Sequence, residues 1–215
     1  MTMQSRDTVE FNQSLMAFLD ASPTPFHAVV SISQILVKAG FTQLEESEDW
    51  SLVAGDQHFV TRNDSSIIAF TVGSEPLQES GLRMAGAHTD SPCLMVKPQP
   101  EVSKNGYFQL GVEVYGGALL NPWFDRDLSI AGRVVYQDRA HKLKQVLIDF
   151  KRPVAMIPSL AIHLDRDANK GRTVNAQTDI PPILMLSDNT EDFRALLAEQ
   201  FGLGDADVLD YELCF

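Results

Sequence analysis

Near residue 58 the hydrophobic period of this chain changes, and that change limits the fold more than any other feature. Before it, apolar residues recur at helical spacing; after it, they alternate. Phe11, Leu15, Phe18 and Leu19 form a first helical stripe, preceded by Asp7 and Glu10 in the pattern of a capping box. Ser22 and Pro23 break that helix. Thr24 as N-cap and Pro25 in the first turn start a second one. Its apolar face is Val29, Ile32, Ile35 and Leu36, and Gly40 stands where a helix-ending glycine belongs. A helical opening followed by a long alternating stretch predicts a mixed α/β chain with a β-rich second part.

The β signals come in order. Residues 58–61 and 66–72 read as a hairpin around Asn63 and Asp64. Residues 82–87 are a short apolar run that suits a buried strand and would deliver His88 at its C-terminal end. In open α/β sheets that edge is where ligands bind. Beyond Pro98, residues 107–115, 129–136, 142–150 and 180–186 are strand-like, with Gly, Asn, Asp and Pro in the turns between them. Residues 190–201 read as an amphipathic helix ending at Gly202, and residues 210–215 as the start of a strand. The expected division is into residues 1–94 and a mostly β domain over residues 95–215.

Charge removes several classes of partner. Twenty-nine acidic against 17 basic side chains give a net charge of −12. Neutralising phosphates requires clustered Lys and Arg, and the best basic stretch, residues 139–152, is too thin, so no nucleic-acid partner is expected. The same argument disfavours an anionic membrane surface. No apolar run approaches the ~18 residues of a membrane helix. No signal peptide is visible, so a cytoplasmic location and reduced Cys93 and Cys214 are expected.

The segment from Gly86 to Pro92 (GAHTDSP) carries the chemistry. The imidazole of His88 suits a divalent ion such as Zn²⁺. Asp90 could hold the other ring nitrogen, fixing the tautomer and raising ring basicity. As a bare pattern His-x-Asp also describes an ordinary surface or core pair. His163, in an apolar context, reads on pattern alone as a core or interface histidine. His27 reads as packing or capping, and His58 and His141 as exposed. Asp125, Arg126 and Asp127 beside Trp123 and Phe124 suit a buried or interfacial ion network. Cys93 reads as a small buried thiol. Glu45 and Glu46 lie in a polar stretch expected at the surface.

Five blocks together resemble the aspartyl aminopeptidase family. They are residues 18–28 (FLDASPTPFHA), 87–96 (AHTDSPCLMV), 111–117 (GVEVYGG), 123–133 (WFDRDLSIAGR) and 157–164 (IPSLAIHL), in family order. The resemblance implies a metallo-aminopeptidase. In it, an α/β catalytic domain is interrupted by a β-rich dimerisation domain. Residues 1–94 would be the N-terminal portion of the catalytic domain and residues 95–215 the dimerisation domain. It further implies a peptide substrate with an acidic N-terminal residue and a dimer-based homo-oligomer. Two divalent ions would occupy each complete active site: Zn²⁺, or another such as Co²⁺ or Mn²⁺.

By the same resemblance, His88 matches the first metal ligand and Asp90 its orienting carboxylate. His163 matches a residue that reaches the neighbouring subunit's active site and contacts substrate. The remaining ligands of the family lie beyond the second domain. The chain is therefore expected to be an N-terminal half, weak in metal binding and inactive alone. The alternative is a non-catalytic, truncated assembly protein that keeps the dimerisation domain.

Overall fold

Thr24 and Pro25 set the first corner of the chain. In the computed structural model, which describes residues 6–187, 191–203 and 207–215, helix α1 (Arg6–Asp20) stops before them and α2 (Pro25–Lys38) starts on them. The Thr24 hydroxyl accepts from the His27 backbone N–H at 3.5 Å and lies 2.8 Å from His27 Nδ1, so the cap is shared with a side chain. Gly40, at φ 92°, closes α2, with its N–H on the Val37 carbonyl. The Asp7 side chain and Thr190 lie outside the described residues, and with them the expected capping box and the start of the last helix.

The described chain divides into two compact units, Met1–Ser91 and Pro92–Phe215. In the first, β1 (Thr42–Gln43), β2 (Gln57–Arg62) and β3 (Ser66–Thr71) form a three-stranded sheet in that order. Asn63 and Asp64, at φ 50° and 54°, turn β2 into β3, as the sequence predicts. Helix α2 buries Phe26, Ala28 and Val29, and β2 buries Phe59 and Val60. A one-turn helix, α3 (Leu77–Ser80), follows.

Two expectations fail in this unit, at residues 82–87 and at His58. Residues 82–87 are irregular, in no strand ladder and exposed rather than a buried strand, with Leu82 70% and Met84 87% exposed. An apolar run becomes a strand only beside a hydrogen-bonding neighbour, and the described residues offer none. The α1 stripe forms but packs on little: Phe11 and Leu19 are 68% and 60% exposed. His58 is half-buried rather than exposed, its ring 5.8 Å from that of Phe70, its cross-strand partner.

The second unit is a six-stranded antiparallel sheet. Its strands are β4 (Cys93–Lys104), β5 (Tyr107–Tyr115), β6 (Ala131–Gln137), β7 (Leu143–Asp149), β8 (Ile183–Leu186) and β9 (Asp207–Cys214), in spatial order β7-β6-β9-β4-β5-β8. The last strand therefore lies in the middle of the sheet. Pro98 and Pro100 interrupt the β4 ladder between Val96 and Glu101, and pairing resumes beyond them. A 3₁₀ turn (Asn121–Trp123), the one-turn α4 (Ala168–Gly171) and α5 (Phe193–Gln200) complete the unit. Asp192 caps α5 by accepting from Ala195 N–H at 3.1 Å.

Two apolar clusters hold this sheet. Phe193 and Leu197 of α5 pack on Phe108, Leu110, Val134 and Leu213. Leu94, Val112, Phe124, Leu128, Ile157 and Ile180 form the other. Gly132 sits at φ 152° where β6 meets β9, and a Cβ there would stand 2.0 Å from the Glu212 carbonyl oxygen. Beside it Arg133, nearly buried, pairs with Glu212 across the same strands. No helix among the described residues is long and apolar enough to cross a membrane.

Candidate functional site

The expected metal loop is anchored within the first unit. Thr89 Oγ1 donates to the Ser65 carbonyl at 2.8 Å, tying the loop to the β2–β3 turn. Downstream, Pro92 lies against Gly116, 3.6 Å from where a Cβ would stand, and β4 begins at Cys93. Within the loop, His88 and Asp90 come together. His88 Nδ1 is 2.6 Å from the Asp90 carbonyl oxygen and 3.3 Å from Asp90 Oδ1.

Both of those oxygens are acceptors, so the hydrogen-bond pattern assigns the ring proton to Nδ1. Nε2 then carries the lone pair, and the side chain is 78% exposed. Sequence reasoning expects this pairing; the additional backbone acceptor it does not. One oriented imidazole with an open nitrogen fits a single ligand of a divalent ion. Among the described residues no group of three or more His, Cys, Asp or Glu could enclose one.

The Glu45 and Glu46 pair is occupied otherwise. Glu46 receives two hydrogen bonds from Arg62, at 2.5 and 3.1 Å, and that guanidinium holds its carboxyl below the usual carboxylate range. The Glu45 carbonyl accepts from Trp50 Nε1 at 2.8 Å.

His163 lies in the second unit, in a turn closed by Leu164 N–H and Asp165 N–H on the Ala161 carbonyl. It is exposed, so the core reading fails. Its neighbours Leu160, Ile162 and Leu164 are also exposed, at 60, 48 and 75%. Of the buried or interfacial ion network expected at Asp125–Asp127, the buried form fails, because all three residues are exposed. Asp125 instead sits at φ 56° and accepts from Ser159 N–H at 2.8 Å. The Ser159 backbone and hydroxyl, aided by the positive charge of Arg172, hold the Asp125 carboxyl below the ordinary value.

Sequence reasoning missed Ser159, Asp165 and Arg172 as partners in this loop. Their pairing spans 34 residues from Asp125 to Ser159, and no local pattern reports it. Cys93 and Cys214 lie on neighbouring strands and form no disulfide. A hydrogen bond donated by the Cys214 thiol to Cys93, together with burial, pushes the Cys214 thiol far up, which suits inert packing.

Comparison with known proteins agrees on one family. Residues 18–215 match the family described as aminopeptidase I zinc metalloprotease (M18). The probable M18 family aminopeptidase 2 of Stutzerimonas stutzeri is 59% identical over 213 residues, covering 96% of this chain and 49% of its own. Its counterpart in Azotobacter vinelandii is 58% identical over 212 residues, with the same coverage of each. The chain thus spans about half the length of the curated relatives it matches.

Solved structures agree. The Chaetomium thermophilum mApe1 structure is 35% identical with a TM-score of 0.84, covering 95% of this chain and 50% of that one. A chain of the Ape4 and Nbr1 complex is 37% identical with a TM-score of 0.85, covering 100% and 46%. The Saccharomyces cerevisiae mApe1 dodecamer is 26% identical with a TM-score of 0.74, covering 97% and 48%. With a profile match across nearly the whole chain and relatives well above half identical, this chain belongs to the M18 family of aminopeptidase I zinc metalloproteases.

Proposed function

We propose that this chain supplies part of a metallo-aminopeptidase that removes N-terminal residues from peptides, acidic residues by preference. The observation that carries the reading is the His88 ring, held at Nδ1 by Asp90 with Nε2 turned to solvent. His88 would provide one nitrogen ligand of a site for two divalent ions: Zn²⁺, or Co²⁺ or Mn²⁺. An ion bound there supplies Lewis-acid polarisation of a carbonyl and a more acidic water. Asp90 keeps the proton on Nδ1, so that Nε2 stays available as a donor. Residues 1–94 belong in this reading to the catalytic domain.

Residues 95–215 serve as the dimerisation domain of a dimer-based homo-oligomer. The dodecameric relative supports self-association, as do the three exposed aliphatic residues around His163. His163 would meet the substrate of a neighbouring subunit, as a hydrogen-bonding side chain on an exposed turn. The 215 residues alone would not hydrolyse peptides, because the described residues hold one oriented ligand and no enclosing group. That same observation favours a second reading, a non-catalytic assembly partner.

Metal content and peptidase assays separate the two. In a polypeptide extended to the length of the relatives, His88→Ala should lose activity by about a thousandfold and lose bound metal, with the fold intact. Full activity in that variant would reject His88 as a ligand. Absence of activity in the extended parent with a peptide of acidic N-terminus would favour the assembly reading.

A further inference from the structure

The loop that carries His163 is fastened at both ends to the segment of Phe124 and Asp125. At its start, Asp125 N–H donates to the Ile157 carbonyl at 2.9 Å, and the Asp125 carboxylate takes Ser159 N–H at 2.8 Å. At its end, the Arg172 guanidinium lies over the Phe124 ring, 4.2 Å from the centroid, and 3.7 Å from Asp165. Arg172 and Asp165 are mostly covered, with side chains 21 and 24% exposed, while His163 between the two fastenings is open.

Asp125 reaches Ser159 from a left-handed backbone, a conformation that costs a non-glycine residue energy. Asp and Asn bear that cost more easily than other side chains. A strained residue aimed at one backbone N–H points to a position that the surrounding structure enforces. Phe124, buried in the second cluster, gives the arrangement a rigid base.

We infer that Asp125 and Arg172 are positioning residues: they clasp residues 158–172 so that His163 is presented in one orientation. The inference rests on the reading of His163 as a substrate-contacting residue.

The test compares Asp125→Gly, Asp125→Asn, Arg172→Ala and His163→Ala in a full-length subunit containing this sequence. Glycine removes the carboxylate and suits the left-handed backbone, so loss of the clasp is separated from strain. Asparagine keeps an oxygen acceptor. Asp125→Gly should lower kcat/KM about tenfold, in whichever of kcat or KM His163→Ala changes. Asp125→Asn should stay within about twofold of the parent, and Arg172→Ala should follow the glycine variant. Combining Asp125→Gly with His163→Ala should cost no more than His163→Ala alone.

Multiplicative losses in that double variant, or parental activity in Asp125→Gly while His163→Ala is impaired, would overturn the clasp. Should His163→Ala itself retain parental activity, the reading of His163 fails instead. Amide exchange in the 215-residue chain then decides the clasp: Ser159 must exchange at least about tenfold faster in Asp125→Gly. Unchanged exchange would overturn it as well. If the glycine variant does not fold, Arg172→Ala carries the same comparisons.

Discussion

The two units of this chain use their apolar residues differently. The second places Phe108, Leu110, Val134, Phe193, Leu197 and Leu213 under 2% exposure, and all six of its strands are paired. The first has a small core around Phe59 and Val29, an α1 stripe open to solvent, and an unpaired apolar run before His88. The second unit fills two apolar clusters, although side chains such as Leu160, Ile162 and Leu164 stay exposed; the first leaves most of its α1 stripe and residues 82–87 uncovered. The candidate chemistry follows the same division. The His163 loop is fastened entirely within its unit, whereas the His88 loop brings together one imidazole and its Asp90 partner.

Four substitutions test that contrast. Trp50 and Trp123 report on separate units, so Trp50→Phe leaves fluorescence from the second alone. The largest effect belongs to Gly132→Val. Its Cβ would meet the Glu212 carbonyl at 2.0 Å, and a loss on the order of 4 kcal/mol is expected in urea unfolding. Phe108→Ala should follow, at about 3 kcal/mol, since the side chain is fully buried. In the first unit, Thr24→Ala should cost about 1 kcal/mol through loss of the α2 cap. Phe11→Ala should change stability by less than about 0.5 kcal/mol, because the ring is already in water. A large loss at Phe11 would show that the first unit covers its own apolar surface and would break the comparison.

A pH series sharpens the account of the second unit. The folded Asp125 carboxyl is held below its ordinary value by Ser159, with help from Arg172. Such a group adds stability above the ordinary carboxylate range, and the contribution fades as pH falls through the lowered value. Protection of the Ser159 amide should therefore persist at neutral pH and diminish in acid. Protection that does not change with pH would remove Asp125 from the loop's support.

Local signals were the legible part of the fold. The Thr24 cap, Pro25, Gly40 and the Asn63–Asp64 turn each act within a few residues, and the structure places all of them as the sequence predicts. Interactions at long range were not legible. Pro98 and Pro100 argue against a strand, yet β4 runs through them because its ladder breaks only between Val96 and Glu101. Residues 82–87 look like a strand but lack a partner. Polar neighbours in sequence suggest an exposed His58, while its enclosure comes from Phe70 across the hairpin. At the site, His88 and Asp90 were readable because two residues of spacing suffice for their contact. Asp125, Ser159 and Arg172 meet only once the chain has folded.

Nitrogen NMR of the His88 ring in the 215-residue chain tests the central claim most directly. The account predicts a proton on Nδ1, a bare Nε2, and a selective shift of Nε2 on addition of zinc. A ring protonated on Nε2, with neither nitrogen responding to zinc, would contradict it.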